Sequence, residues 1–193
     1  LKNNILSGFS TDLVQIFTQV AFAPLMIFFW GLENFGIWLF LLSIPNIFLI
    51  FNLNFSGASA NEMTMYNSKK NYTKSNEVFQ NSIIFTLCNI IFFTLIMLIF
   101  YTFKDFEFSV LKNIKTGDLK LILALLILTI YLNFFNSLFS IGLQSYGKHY
   151  IVFNVSNLTD LLSKAFIVLS GIFFSSLVVP SIVYFIFILT KFF

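Results

Sequence analysis

Eleven lysines and eight acidic residues are all the fixed charge in 193 residues, and arginine is absent. Their types and spacing decide what chemistry is open to the chain. Asp12, Gln15 and Gln19 stand at i, i+3 and i+7 in an apolar stretch, which on a helix is one face. Asn154, Asn157, Asp160 and Lys164 repeat the pattern, as do Asn133, Asn136, Ser137, Ser140 and Gln144; Asn52, Ser56 and Ser59 add a fourth stripe. Amides and hydroxyls so arranged either line a hydrated cavity or join helices by hydrogen bonds.

The charges narrow this further. A carboxylate or an ammonium near the centre of a bilayer costs roughly 2.5–3.5 kcal/mol on insertion scales, so such groups mark a pathway or a pair. Asp160 and Lys164 at i, i+4 are spaced for an ion pair. Alternatively, Asp12, Asn157 and Asp160 offer oxygens to a coupling cation, H⁺ or Na⁺, while Lys164 attracts an anionic substrate. Both arrangements stand at this point. Gln15, Gln19, Asn133, Asn136 and Gln144 complete the substrate path in the cavity reading.

Other chemistry is poorly provided for. The lone histidine, His149, has no partners in sequence for a metal or a general base and reads as a surface residue, so no metal site and no cofactor are expected. The single cysteine, Cys88, cannot form an internal disulfide. There is no phosphate-cradling glycine loop, no HExxH and no Ser/His/Asp set, and no catalytic residue or enzymatic activity is expected. Without arginine, nucleic acid is an improbable partner.

The elements that must position these residues follow from composition. The chain is 58% hydrophobic and only 10% charged, too little charge for a water-exposed surface and too much apolar area for disorder. An all-α, polytopic membrane protein results. A crossing needs about 20 apolar residues, and six stretches qualify: Ile5–Trp30, Phe35–Ala60, Ser82–Phe103, Leu121–Leu143, Tyr150–Phe174 and the short Leu177–Thr190, which leans on Lys191 as its interfacial end. The polar stretch Asn61–Glu77 is expected to be a loop, as is Lys104–Lys120. The excess of lysine on one side places the N-terminus inside. A start at Leu1 and an apolar end at Phe193 point to a piece of a longer chain.

One stretch also carries a family resemblance. The segment PLMIFFWGLENFGIWLFLLSIPNIFLIFNLNFSGASANEMT, with Gly31, Glu33, Phe35, Gly36, Ile37 and Trp38 and then Asn54, Gly57, Ala58, Ser59, Ala60, Asn61 and Glu62, resembles the N-terminal signature of Wzx-type polysaccharide flippases. Where that family often has aspartate-leucine-glycine, this chain has Asn52-Leu53-Asn54. The turn GLQSYGKHY (Gly142–Tyr150) is similar to the family's glycine-and-basic connection.

The resemblance implies membership of the multidrug/oligosaccharidyl-lipid/polysaccharide exporters, in which twelve or more helices form two lobes; six spans would be the N-terminal lobe. It further implies transport of undecaprenyl-pyrophosphate-linked sugar repeats across the bacterial cytoplasmic membrane by alternating access, alongside other polysaccharide-assembly proteins. Asp12, Asn157 and Asp160 fall near positions used for cation coupling by some multidrug relatives. A multidrug antiporter, or less readily a membrane enzyme of polysaccharide assembly, is the competing expectation.

Overall fold

The computed structural model describes residues 2–102, 114–174 and 176–191; side chains are described from Thr11 onward, apart from residues 12, 14, 17, 44–45, 47–54 and 97–102. All regular structure among them is helical: α1 (Lys2–Ser68), α2 (Tyr72–Thr102), α3 (Thr116–Ser145), α4 (His149–Phe173) and α5 (Val178–Thr190).

α1 is two helices. Gly31 has φ 79° and ψ 162°, a region that only glycine enters readily. Phe22 and Phe35 then stand with ring centroids 6.2 Å apart, whereas 13 residues of continuous helix would separate them by about 20 Å. The chain reverses at this one residue, giving a first arm (2–30) and a second arm (32–68). The described residues thus form six helical limbs, as the sequence predicts, and the break falls in the short gap between Trp30 and Phe35. A Gly31→Ala variant is expected to lose about 1–3 kcal/mol, read as an earlier thermal melt in detergent; an unchanged melt would show that the reversal tolerates a side chain.

Four stretches are long and apolar enough to cross a membrane: Thr18–Ser43, Tyr72–Ile96, Thr116–Ser145 and His149–Phe173. The first runs through the Gly31 reversal and so covers parts of two limbs. Phe28, Leu32, Phe92, Phe139 and Phe173 are exposed on the outside of the bundle, the arrangement expected where lipid is the solvent.

The polar stretch expected to be a loop is helical except at residues 69–71. The second arm continues to Ser68, Lys70 turns with φ 56°, and the Asn71 Oδ1 accepts the Lys74 N–H at 3.2 Å to cap α2. Lys74 also lies over the Tyr66 ring, 5.8 Å from its centroid. These polar residues permit helix, and the Asx cap supplies the stop that composition alone does not show. Most of the Lys104–Lys120 expectation falls on residues 103–113, outside those described; 116–120 form the first turn of α3, with Asp118 at its favourable end.

Packing is uneven along the bundle. At the Gly31 end, Met26, Phe35, Ile37, Trp38, Leu41, Ile122, Leu126, Ile167 and Leu177 form the largest buried apolar cluster, joining both arms, α3, α4 and the start of α5. At the opposite end a smaller cluster of Ala60, Met63 and Ile141 holds the second arm to α3, with Val78 and Phe79 of α2 against it.

Candidate functional site

Three helices change character partway along one face. On α3, Ile122, Leu126, Thr129, Asn133, Asn136, Ser140 and Gln144 recur at steps of four and three and so share a face. The first three are buried; the last four are only half-buried. On α4 the stripe runs Asn157, Asp160, Lys164, Ile167, Gly171, with Ile167 in the apolar cluster. On the first arm it runs Thr11, Gln15, Thr18, Phe22, Met26, the last two again in the apolar cluster. Toward Gly31 these stripes end in buried apolar residues, and in the other half they carry amides, hydroxyls and charges that are mostly half-buried or exposed.

The first arm and α4 are parallel neighbours. The Asn157 amide donates to Thr11 Oγ1 at 2.8 Å, and the Lys164 ammonium donates to Thr18 Oγ1 at 3.1 Å. Both steps are seven residues, so the two helices run in register over two turns. This brings the chain near Asp12 to the depth of Asn157; the Asp12 side chain itself lies outside those described.

Asp160 and Lys164 do not pair with each other. The Asp160 Oδ1 accepts from Lys191 Nζ at 2.9 Å, while Lys164 turns to Thr18. The physical reason is the antiparallel return of α5. Thirteen residues separate Phe173 from Asp160, and thirteen separate Val178 from Lys191, so each charge lies about 20 Å from the connection between the helices. Lys191 is accordingly beside the middle of α4, and its side chain is 12% exposed against 50% for Asp160. Leu177, Ser181, Tyr184, Ile188 and Lys191 themselves recur at steps of four and three, the signal that could have placed Lys191 inward.

The amides of α3 behave differently. Asn133 Nδ2 donates to Thr129 O at 2.9 Å within its own helix. Ser137 and Ser140 likewise bond carbonyls three or four residues back, as do Ser82, Thr86, Thr159, Ser163, Ser170 and Ser181 on other helices. The hydroxyls are satisfied locally and let helices approach closely. Asn136 and Gln144 are half-buried on the same stripe; Gln15 and Gln19 are exposed on the first arm. The structure thus joins Asn157 and Lys164 to the first arm and Asp160 to α5, while Asn133 bonds within α3.

Two further residues were not singled out from sequence. Trp30 packs its indole directly over Gly171 of α4, and Trp30 and Trp38 meet edge to face at 6.1 Å. A cleft of about 450 Å³ lies beside them, bounded by Phe29, Asn34, Phe173 and Leu177 among others. No group of three or more His, Cys, Asp or Glu among the described residues could hold a metal ion. His149 opens α4 and stacks on Phe153 at 6.4 Å.

Comparison with protein-family models, with curated proteins and with solved structures gives no match.

Proposed function

We propose that the chain is one six-helix lobe of a Wzx-type flippase that moves undecaprenyl-pyrophosphate-linked oligosaccharide repeats across the bacterial cytoplasmic membrane by alternating access. The observation that carries this reading is the set of polar stripes on three helices, with Lys164 bonded to Thr18 and half-buried amides continuing the stripe on α3. An ammonium there suits a pyrophosphate, and amides with serines suit sugar hydroxyls. With the N-terminus inside, the polar half opens toward the cytoplasm, where the substrate is made.

A multidrug antiporter fits less well. Cationic drugs need an uncompensated carboxylate, and among the described residues of the stripe Asp160 is matched by Lys191 while Lys164 adds a cation. In the flippase, Asp12, Asn157 and Asp160 would supply the response to H⁺ or Na⁺, with Lys191 as the tethered cation that a mobile one must displace.

The deciding experiment is the sidedness of lipid-linked glycan in cells lacking the gene. Accumulation on the cytoplasmic leaflet with loss of surface polysaccharide supports the proposal. Normal sidedness with altered drug sensitivity moves the protein to the antiporter branch, and unpolymerised units outside would indicate an assembly enzyme.

Membrane embedding has its own test. Cys88, the single cysteine, is exposed on α2. A charged maleimide should leave it unlabelled in sealed or opened vesicles and label it only after denaturation. Fast labelling in the bilayer would put α2 against water.

A further inference from the structure

The end of the bundle away from Gly31 gathers exposed lysines. Lys69, Lys70 and Lys74 lie where the second arm turns into α2, and Lys148 lies where α3 turns into α4. The two turns are held side by side. The Asn67 amide donates to the Ser145 backbone oxygen at 3.2 Å, and the cluster of Ala60, Met63 and Ile141 packs behind them. Among the described residues none of the four lysines is in an ion pair, and the acidic residues nearby in sequence are Glu62 and Glu77 alone. By contrast, residues 104–120 together with Glu33 carry equal numbers of lysines and acidic residues. Positive charge is thus concentrated at the paired turns.

Helix length sets the depth of this patch. The second arm, residues 32–68, is about 55 Å long at helical rise, whereas the hydrocarbon layer is about 30 Å thick. Its last turns and the first turns of α2 therefore stand in the headgroup layer and beyond it. Tyrosines ring the same level: Tyr66 lies under Lys74, and Tyr72 and Tyr146 are exposed beside the lysines, as is Met65. Exposed tyrosines next to lysines are the signature of a surface that meets headgroups, and a lysine stem is long enough to carry its ammonium to a phosphate. That collar favours lipid over an acidic protein.

We propose that Lys69, Lys70, Lys74 and Lys148 form one docking surface for the phosphate headgroups of anionic membrane lipids, seated across the two turns. Bound phosphates reinforce the Asn67–Ser145 hydrogen bond in tying the two hairpins together. The surface needs a chain embedded in a bilayer and stands whether or not the flippase reading does.

The test compares spin-labelled phosphatidylglycerol with spin-labelled phosphatidylcholine around the full-length protein in phosphatidylcholine vesicles, reading the fraction immobilised at the protein. At roughly fivefold per lysine near an anionic surface, offset in part by the glutamates, the anionic lipid should be preferred about tenfold at low salt, and less as salt screens the charges. Lys69→Gln with Lys70→Gln and Lys148→Gln should bring the two lipids close to parity. Lys115→Gln with Lys120→Gln, exposed lysines at the start of α3, should leave the preference intact. Equal association of the two lipids with the unaltered protein overturns the proposal and leaves the lysines to an acidic protein partner. A preference that survives the triple substitution also overturns it, by placing the lipid elsewhere. Inorganic phosphate at constant ionic strength should not abolish the preference; if it does, the lysines bind free anions rather than lipid.

Discussion

Replacing Gly171 by alanine is expected to destabilise the bundle by about 2–3 kcal/mol, one of the two largest effects anticipated for a single substitution. The Trp30 indole occupies the space where a Cβ would stand, with its ring nitrogen and neighbouring carbons all in the way. Relief by a small rotation is unavailable, since Trp30 is also held edge to face against Trp38, which is fully buried and in turn meets Tyr184 of α5 edge to face at 6.4 Å. The ring must leave or α4 must move away from the hairpin. A melt in detergent measures the loss, and Trp30→Phe in the alanine background should recover part of it by withdrawing the overlapping ring. The Trp30 N–H is also buried without a partner among the described residues, so removing it takes away an unsatisfied donor. If the two changes were simply additive, the proposed clash would be wrong.

Neutralising Lys164 is the second large effect. Lys164→Ala should insert and fold, because it removes a hydrogen bond to Thr18 while Asp160 keeps Lys191. Transport should nevertheless fall roughly 10–100-fold, the range for losing a hydrogen bond to a charged group. Asp12→Ala is expected to reduce flipping in the same assay. Glycan translocation in reconstituted vesicles gives the measurement; wild-type rates in both variants, with normal insertion, would remove the axis from the substrate path.

Apolar length was enough to find the six helical limbs of the described residues, since long apolar runs broken by short polar gaps mark separate helices. The Gly31 reversal was legible too, because Gly31 stands between two long apolar runs with Glu33 and Asn34 beside it. The stripes on the first arm, α3 and α4 were readable as periodicity. What periodicity could not supply was the partner of each group. Asp160 and Lys164 have ideal local spacing, yet the ion pair forms with Lys191, 31 residues away, because α5 returns antiparallel and its inward stripe ends on a lysine. Spacing reports which residues share a face, whereas pairing depends on which helix lies opposite. The Trp30–Gly171 contact was hidden for the same reason: only the packed bundle shows that the glycine is a seat for a ring. The extension of helix through Asn61–Ser68 was missed because polarity reports solvent rather than conformation.

The habit of serines and threonines of bonding to their own helix has a mechanical consequence. At the Gly31 end, interlocked aromatic rings and a one-residue reversal hold the limbs together. Away from that end, most serines bond within their own backbones, so among the described residues the polar stripes are joined by a few side-chain bonds: Asn157 to Thr11, Lys164 to Thr18 and Lys191 to Asp160. Ring packing and side-chain bonding are thereby assigned to different stretches of the same helices.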